Sequence, residues 1–563
     1  MCGFVLSDAC STYHAASTMI ELRDFSKAEV ALSAIGQMTA YGRFALGLRR
    51  FLREPVTPEL GRLMIRERLR NRESNFLTLV KRAVYENEAS PYLALLRMAG
   101  CEYGDLSGMI GADGIDATLR RLYEAGVYLT TEEFKCKQDV VRGSTALRFR
   151  QADFNNPFLL KSIATSSSGS RSPRVQTVIS LERLHYNALC QAVVSSAHKL
   201  QGKPTLLWMQ ILPSAAGLAA LLQTSQMGNP PLRWFSPVAR EAISPSLSKR
   251  LATLYVVYAG RLFGTKMPAP EYVSGEQIQV VADCVRDMAA RIEGVVVYAS
   301  PSSAARLCRT AGARGYDFTS VTFRVVGEPL TAAKMEEIRR VGAGAVNVYA
   351  FAEGSIVGYG CAGSSDAADD MHFLATSLAV IQHSRDTRFG GGVVDAFLFT
   401  SLSDKTPKIL LNVENGDYGI LESRECGCEL GVCGLTQHIH TVRSFDKLTG
   451  EGMTFVGTDI VRIIEEVLPS RFGGASTDYQ MLEYEDATGV TRLDVVVHPA
   501  VGEIDDGEMV SVILAELARG GDTNRMMAEV WRQGGILRVR REPPHMTAAG
   551  KLLSLHILRQ LKV

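Results

Sequence analysis

The spacing of apolar residues changes twice along the chain and divides it into three regions. In residues 1–150, apolar positions recur at helical spacing with Arg, Lys and Glu on the opposite face, as in Leu60–Arg72 and Asn75–Tyr85. Between about residues 155 and 420, short apolar runs typical of buried strands alternate with helical stretches. From about Gly452 a smaller unit mixes both patterns. The chain is therefore predicted to be an α/β protein with helices on the faces of a layered sheet.

The pattern also places individual elements. In the middle region it predicts strands at Val175–Leu181, Thr205–Leu212, Gly294–Ala299, Ser320–Val326 and Ala345–Tyr349, and helices at Gln277–Ile292 and Ala332–Val341. In the last region it predicts helices at Asp459–Val467 and Thr523–Gln533, and strands at Gln480–Tyr484, Arg492–Val497 and Leu537–Val539. We therefore predict a mainly helical N-terminal extension (1–150), a large α/β core (151–443) and a small α+β domain (444–563) that acts as a mobile lid.

Composition narrows the class of protein. At 563 residues the chain is too long for one core, so two or more domains are expected. The 61 Lys and Arg residues nearly balance the 60 Asp and Glu residues, which argues against a nucleic-acid partner or a polybasic membrane anchor. The N-terminus, Met1–Arg23, lacks the pattern of a signal peptide. The eleven cysteines are an odd number scattered over a long chain, which favours a reducing cytoplasm.

One uncharged stretch, Pro204–Leu232, is long enough to cross a bilayer. Its polar residues and Pro213 divide it into an apolar run at Thr205–Leu212 and a helical stretch from Ala215 to about Gln226. We therefore interpret it as a buried β-α unit and expect no membrane association.

The stretch Val341–Cys361 carries the first chemical signal. A predicted buried strand is followed at once by Tyr349 and Glu353, with small residues and Phe351 between them. Open α/β sheets bind ligands at the carboxyl ends of their strands. A carboxylate there can hold the Mg²⁺ that neutralises bound phosphates. The alternative is an ordinary strand-loop with a solvated Glu.

Three other segments carry similar signals. The loop Thr165–Arg174 is rich in hydroxyls and Gly, so its backbone N–H groups and Arg side chains can cradle a polyphosphate, although a surface linker is the alternative. Asp417, in Asn415-Gly416-Asp417 after a predicted strand at Ile409–Val413, can accept two ribose hydroxyls, or it belongs to a simple turn. Lys551 either lies on the surface or reaches a phosphate or carboxylate from the mobile lid.

Taken in this order, these segments resemble the motifs of the adenylate-forming superfamily, and most closely its phenylacetate-CoA ligase branch. The resemblance covers roughly Lys161 to Lys551 and implies the adenylate-forming fold. It implies roles for the following residues: Ser167, Ser168, Gly169, Ser170 and Arg171 on the ATP phosphates, Gly327 and Glu328 on the adenine side, Tyr349 near adenine and the acyl group, Glu353 on Mg²⁺, Asp417 and Arg443 at the ribose, a hinge around Asp446, and Lys551 as the adenylation lysine. The chain departs from the family pattern at Arg171, Ser172, Ala350, Ala352 and Asn415.

The cysteines extend this resemblance. Cys361, His372, Cys426 and Cys428 are similar to a set in the same branch that binds a structural zinc ion. One His and three thiolates match closed tetrahedral zinc coordination. Cys433 is a rival third thiolate, and a set of buried free cysteines with a core histidine is the alternative.

The resemblance implies an ATP- and Mg²⁺-dependent ligase that activates a small carboxylic acid as an acyl-adenylate and passes it to a thiol, usually that of coenzyme A. Two alternatives stay open: transfer to a carrier protein or an amine, and a catalytically weakened nucleotide-binding scaffold. The acid and the oligomeric state are open. The resemblance places the acyl pocket at or beside strands that carry Trp208, Met209, Trp234, Phe235 and Tyr186, although such residues are more often plain core. His185, Arg324 and Arg171 are candidate carboxylate partners.

Overall fold

The structure is a computed structural model that describes most of the chain from residue 43 to residue 557. The described part omits residues 45, 160–161, 167–175, 213, 238–246, 275–276, 364–366, 387–392, 445–446, 451–452, 457–459, 461, 475–477, 487–490, 520–521 and 546–554. The predicted phosphate-loop residues Ser167–Arg171, the hinge residue Asp446 and Lys551 therefore lie outside it. Within the described ranges, no helix combines the length and apolar character needed to cross a membrane.

The described part of the first region is mainly helical. Its helices are α1 (Pro58–Arg70), α2 (Arg72–Val80), α3 (Pro91–Met98), α4 (Tyr103–Glu124) and α5 (Thr131–Phe134). Helix α1 begins where Thr57 accepts a hydrogen bond from the backbone N–H of Leu60 and Pro58 takes the first helical position. A short hairpin, β1 (Val140–Arg142) and β2 (Thr145–Leu147), ends the region.

A second hairpin and a parallel sheet follow. The hairpin strands β3 (Ser162–Ser166) and β4 (Gln176–Ser180) flank the predicted phosphate loop. The parallel strands are β5 (Thr205–Trp208), β6 (Arg233–Ser236), β7 (Pro270–Tyr272), β8 (Val295–Ala299), β9 (Val321–Val326) and β10 (Gly344–Phe351). The helices are α6 (Leu181–Ala197), α7 (Ala215–Gln226), α8 (Leu247–Leu262), α9 (Ile278–Ala289), α10 (Pro301–Ala313) and α11 (Ala332–Arg339). The uncharged stretch is thus a β-α unit, as predicted.

The parallel strands form one half of a twelve-stranded sheet. The other half is antiparallel and consists of β11 (Ser355–Gly360), β12 (Met371–Phe373), β13 (Leu378–Asp386), β14 (Val393–Ser401), β15 (Val413–Ser423) and β16 (Gln437–Ser444), with the short helix α12 (Glu429–Val432) between the last two. The strand order is β13-β14-β15-β16-β12-β11-β10-β9-β8-β5-β6-β7. Strands β5 to β10 are all parallel, but their order across the sheet reverses once. Strands β5, β6 and β7 follow one another towards one edge of the sheet, and β8, β9 and β10 follow one another towards the antiparallel half, so the sheet is doubly wound about the β5–β8 pair.

The helical extension packs on the antiparallel half of this sheet. Buried side chains of the extension such as Phe76 and Leu119 belong to one apolar cluster with Phe397 and Phe399 of β14. Burial of this shared surface stabilises both layers together, because each would otherwise expose a broad apolar face to water.

The last region is a small α+β unit. It contains the hairpin β17 (Lys447–Gly450) and β18 (Met453–Val456), the sheet strands β19 (Tyr479–Glu485), β20 (Thr491–Val497), β21 (Leu537–Arg541) and β22 (Leu555–Ile557), and helices α13 (Leu468–Phe472), α14 (Asp506–Ala518) and α15 (Asp522–Gly534). Its sheet has the order β21-β20-β19-β22. Helix α14 was absent from the sequence prediction.

One predicted strand is wrong. Residues 409–412 are not in a strand; β15 begins at Val413 and continues through Asn415-Gly416-Asp417 to Ser423. The apolar run that suggested the earlier strand is buried by the helical extension instead, because Ile409, Leu410 and Leu411 belong to its apolar cluster. Asp417 therefore lies within a strand and does not follow one.

Candidate active site

Two residues predicted from separate motifs meet in the structure. The Tyr349 hydroxyl on β10 donates a hydrogen bond to Oδ2 of Asp417 on β15 at 2.8 Å. Three strands separate β10 from β15 in the sheet, so a flat sheet would hold them about 19 Å apart. The contact therefore requires the antiparallel half of the sheet to curl back over β10.

A bulge in β15 presents Asp417 to this contact. Between the pairs Leu398↔Glu414 and Ala396↔Tyr418 the register with β14 shifts, so extra residues of β15 leave the ladder. Gly416 stands in this bulge with φ of +86°, a backbone conformation that a residue with a side chain rarely adopts. The Asn-Gly-Asp sequence is thus what allows the bulge to form.

The Asp417 carboxylate is held by several donors. Besides Tyr349, the Asn415 side-chain amide donates to Oδ2 at 2.8 Å and the Ser444 hydroxyl donates to Oδ1 at 2.7 Å. Asn415 also donates to the Tyr349 hydroxyl at 2.8 Å. Burial, followed by the nearby Asp417 charge, raises the pKa of Tyr349, so its phenol keeps the proton that it donates. The network orients a carboxylate that can exchange these partners for sugar hydroxyls.

Glu353 lies in the tight turn between β10 and β11. The Phe351 ring packs tightly against Gly354. A Cβ on Gly354 would lie 2.2 Å from this ring, so a larger residue fits there only if the ring moves. Ser355 has φ of +76°, which is a strained conformation for a residue other than Gly. The backbone N–H of Lys408 donates to the Glu353 carbonyl at 3.2 Å. These constraints hold the backbone of Glu353 in place at the end of β10.

A buried lysine accompanies this turn. Lys408 is 2% exposed, and its ammonium donates to the Gln151 carbonyl at 2.8 Å and to Oδ1 of Asn155 at 2.9 Å. Burial lowers the pKa of Lys408 to about 8, against an opposing effect of the Glu353 charge. Lys408 thus links the segment that follows the helical extension to the Glu353 turn.

Gly327 and Glu328 lie at the carboxyl end of β9, beside the start of α10. The Glu328 carboxylate is buried and accepts hydrogen bonds from the backbone N–H of Ser302 at 2.7 Å and from its hydroxyl at 2.8 Å. The Lys334 ammonium is 3.5 Å away. A carboxylate at a helix N-terminus stabilises it, so this side chain joins β9 to α10, while the adenine role of the segment stays a prediction.

Arg443 lies on the strand next to Asp417, but its side chain extends away from the Asp417 carboxylate. In the β15–β16 ladder Asp417 pairs with Ser444 and Tyr418 pairs with Arg443, so the Arg443 side chain is on the other face. Its guanidinium donates to Asp369 at 3.3 Å, and the same carboxylate accepts the backbone N–H groups of Thr441 and Val442. The structure does not bring Arg443 to the Asp417 network.

The four residues of the predicted zinc set come together. His372 Nε2 lies 3.0 Å from the Cys428 sulfur and 3.4 Å from the Cys426 sulfur, and Cys361 lies beside both cysteines. The other ring nitrogen of His372 is 2.6 Å from the Leu435 carbonyl. That carbonyl can accept only a hydrogen bond, so it selects the tautomer whose Nε2 lone pair faces the sulfurs. All of these cysteines are free of disulfides.

A second histidine borders the cluster. His438 is fully buried, and it offers a ring nitrogen within 4.8 Å of the ligand atoms of Cys361, His372 and Cys426. Its Nδ1 is 2.9 Å from Asp370, whereas its Nε2 has no hydrogen-bond partner among the described residues. Hydrogen bonds from His438 and Arg424 outweigh burial and hold the pKa of Asp370 below its ordinary value. The donor set therefore fits a soft divalent metal such as zinc, with Cys428 and His438 as two choices for the fourth ligand.

The residues proposed for the acyl pocket are core residues. Tyr186, Trp208, Met209, Trp234 and Phe235 are all less than a tenth exposed. The indole N–H of Trp234 donates a hydrogen bond to the Met209 carbonyl at 2.9 Å. Trp208, Met209, Trp234 and Phe235 pack in the apolar clusters around β5 and β6, and Tyr186 packs in a separate cluster with β10 and β11, as plain core residues do.

Sequence reasoning missed four polar residues of this region: Ser444, Lys408, Asp369 and His438. No local pattern marks Ser444, Asp369 or His438, because each acts through a partner from a distant segment. Lys408 did carry a signal: it is a lone charge directly before the apolar run Ile409–Leu411. A charged residue next to such a run is either at the surface or paired in the interior.

The structure was compared with known proteins. No family model and no curated protein matches the sequence. Among solved structures, 2-hydroxyisobutyryl-CoA ligase in complex with 2-HIB-AMP and CoA is 13% identical with a TM-score of 0.51, over 87% of this chain and 90% of that one. A malonyl-CoA ligase is 12% identical with a TM-score of 0.40, over 79% and 95% of the two chains. An amide bond synthetase from Marinactinospora thermotolerans is 13% identical with a TM-score of 0.38, over 86% and 92%.

The first of these structures covers nearly the whole of both chains, and its likeness concerns the fold. The mixed α/β class and the large sheet predicted from the sequence are confirmed. The phenylacetate-CoA ligase branch stays a prediction. The chain thus shares its overall fold with 2-hydroxyisobutyryl-CoA ligase.

Proposed function

We propose that this protein is an ATP- and Mg²⁺-dependent ligase that converts a small carboxylic acid into an acyl-adenylate and then into a thioester with coenzyme A. The observation that carries the proposal is the hydrogen bond between Tyr349 and Asp417. These residues come from two motifs of the family, and their contact supports one nucleotide site at the curl of the sheet. The shared fold with 2-hydroxyisobutyryl-CoA ligase is consistent with it.

In this proposal each residue has one task. Asp417 accepts the ribose hydroxyls, exchanging hydrogen bonds that Tyr349 and Ser444 now donate. Tyr349 packs beside the adenine and the acyl group. Lys551, outside the described residues, neutralises charge that develops on the carboxylate and α-phosphate as the carboxylate oxygen attacks phosphorus and pyrophosphate leaves. Rotation of the C-terminal unit near Asp446 then withdraws Lys551 and admits the thiol.

Glu353 fits a magnesium ligand. Its carboxylate is partly exposed on a rigid turn, and Mg²⁺ in nucleotide sites uses one or two carboxylates together with phosphate oxygens. Bound there, the ion would supply positive charge to the phosphates. Lys408 interacts electrostatically with Glu353. Its positive charge therefore partly offsets the charge of that carboxylate when no ion is bound.

Pyrophosphate exchange tests the proposal. With a panel of carboxylic acids, at least one acid should drive exchange of pyrophosphate into ATP, and Lys551→Ala should lower that rate by about a hundredfold or more. Asp417→Asn should raise the ATP concentration needed by about tenfold to a hundredfold, since a hydrogen bond to a charged group contributes about 1.5–3 kcal/mol. Asp395→Asn, an exposed position on β14, serves as the control.

The outcomes separate the alternatives. Exchange followed by a CoA thioester in mass spectrometry is expected. If exchange occurs but the acyl group is found on an amine or a carrier protein and not on coenzyme A, only the proposed second half-reaction would be wrong. Absence of exchange with every acid would contradict the ligase proposal.

We also propose that Cys361, His372, Cys426 and Cys428 hold one structural zinc ion that ties the loop after β11 to the segment before α12. Elemental analysis should find about one zinc per chain, and the double change Cys426→Ser and Cys428→Ser should abolish it. Cys433→Ala, which removes the rival thiolate, should leave the zinc in place. Full zinc content in the double variant would refute the site.

A further inference from the structure

A cavity of about 360 Å³ lies between the parallel strands of the sheet, the ends of α6 and α7, and the start of α1. Thr205, the first residue of β5, and Val296, near the start of β8, line it. The last turns of α6 and α7 contribute Ser195 and Thr224. Tyr349, in contrast, lies near the carboxyl end of β10. The volume falls in the lower part of the range of small-molecule sites, about 300–1,000 Å³.

The cavity contains a buried, incompletely paired arginine. Arg324 of β9 is 3% exposed, and its Nη1 donates to the Tyr298 hydroxyl at 3.2 Å and lies 3.5 Å from the Ser195 hydroxyl. Its Nε and Nη2 are buried and have no hydrogen-bond partner in the described part of the chain. Arginine stays protonated in proteins, so this guanidinium is a buried cation with two unused donors.

No carboxylate of the described cavity-lining residues pairs with this guanidinium. The Tyr298 and Tyr359 rings lie 5.8 and 5.6 Å from the guanidinium carbon and contribute only a weak cation–π attraction. Tyr298 also accepts a hydrogen bond from the Gln191 amide, so its oxygen is shared. Among the described residues that line the cavity, Glu59 alone is acidic, and it pairs with Arg62 at 2.7 Å. A buried charge without a partner is costly, which makes this site selective for an anion.

The free donors indicate which anion fits. Nε and Nη2 form one edge of the guanidinium fork, and that edge binds a carboxylate through two parallel hydrogen bonds. A single cation balances one negative charge. The remaining wall is partly apolar, with Ala192, Leu200 and Met227, and so suits a hydrocarbon body.

We propose that this cavity is a second ligand site, which binds a small organic monocarboxylate through a bidentate pair with Arg324. The site is separate from the nucleotide residues: Arg324 pairs in the sheet with Val346, three residues before Tyr349 and therefore roughly 10 Å along β10 from it. Its occupancy does not depend on ATP or on the ligase reaction.

Binding to the full-length protein without nucleotide tests this site. The probes are benzoate and hexanoate, with benzamide and hexanamide as neutral counterparts and inorganic phosphate as an anion without a hydrocarbon body. Isothermal titration should show that at least one carboxylate binds and that its amide does not. Arg324→Gln should weaken that binding at least tenfold, whereas Arg183→Gln, which removes another buried arginine outside the cavity, should leave it unchanged.

Two further variants keep the test decisive if Arg324→Gln folds poorly. Ala192→Leu, which fills the cavity and keeps the charge, should also weaken carboxylate binding, and Asp417→Asn should not affect it. The proposal is overturned if no carboxylate binds, if the amides or phosphate bind equally well, or if a folded Arg324→Gln or Ala192→Leu protein binds the carboxylate as the unchanged protein does.

Discussion

At the scale of single residues, the region around the candidate active site depends on polar side chains whose surroundings decide their state. Asp417 is oriented by donors from β10, β15 and β16, and Glu328 is enclosed by Ser302 and Lys334. Lys408 is the clearest case, because burial alone moves its pKa into the range of ordinary buffers. Its titration can therefore be followed through stability.

Lys408 should make stability depend on pH in a defined window. Its pKa is about 8 in the folded protein and about 10.5 when unfolded, so between these values the unfolded chain binds more protons. The contribution of Lys408 to the free energy of unfolding should therefore rise with pH from about 8 to about 10.5, by up to about 3 kcal/mol. Urea denaturation at several pH values measures it as the difference between the unchanged protein and Lys408→Met.

The control is Lys405→Met, which removes a more exposed lysine paired with Asp404 at 2.7 Å. Its stability difference should be nearly flat over the same window. A flat difference for Lys408→Met as well would show that Lys408 is not perturbed by burial.

At the scale of elements, the bulge in β15 is what converts an ordinary antiparallel strand into part of a site. A regular ladder would keep Asn415 and Asp417 in register with β14 and away from Tyr349. The bulge depends on Gly416, whose φ of +86° is accessible to Gly at little cost.

Gly416→Ala should therefore damage both stability and the site. The added Cβ in a left-handed conformation costs about 1–2 kcal/mol, and relaxation of the bulge should weaken ATP binding severalfold. Gly143→Ala supplies a matched control, because Gly143 has φ of +56° in the exposed turn between β1 and β2. It should lose similar stability in urea denaturation but keep its ATP affinity in titration calorimetry. Unchanged ATP affinity in Gly416→Ala would separate the bulge from the nucleotide site.

At the scale of the whole molecule, the helical extension and the sheet share one interior. Asn412, fully buried directly before β15, donates to the Leu119 carbonyl at 2.8 Å and to the Val127 carbonyl at 3.2 Å. Tyr92 of α3 donates to the Ile409 carbonyl at 2.9 Å. These bonds join the two layers that the sequence pattern separates, so we expect them to unfold together.

Asn412→Ala should destabilise both layers. It removes both hydrogen bonds and leaves the buried Val127 carbonyl without the donor that Asn412 supplies, which corresponds to about 1–3 kcal/mol. Hydrogen exchange followed by mass spectrometry should show faster exchange in α4 and in β14 alike. Asn71→Ala, an exposed helix-end residue whose side chain makes no capping bond, is the control and should change neither. Faster exchange confined to the helices would indicate that the extension is a separate folding unit.

The sequence by itself determined the local elements and the chemical candidates. Periodicity is a short-range property, so α7, β8 to β10 and α11 could be predicted within a few residues, and Tyr349 and Asp417 could be named as candidates from their local motifs. Tertiary structure alone decided that the sheet curls to join these two residues and that Arg443 turns to Asp369. It also decided that Arg324 borders a cavity and has two buried donors without a partner among the described residues. Such outcomes depend on which distant segments pack together. The free energy of that packing comes from contacts between segments, so no single stretch of the sequence determines it.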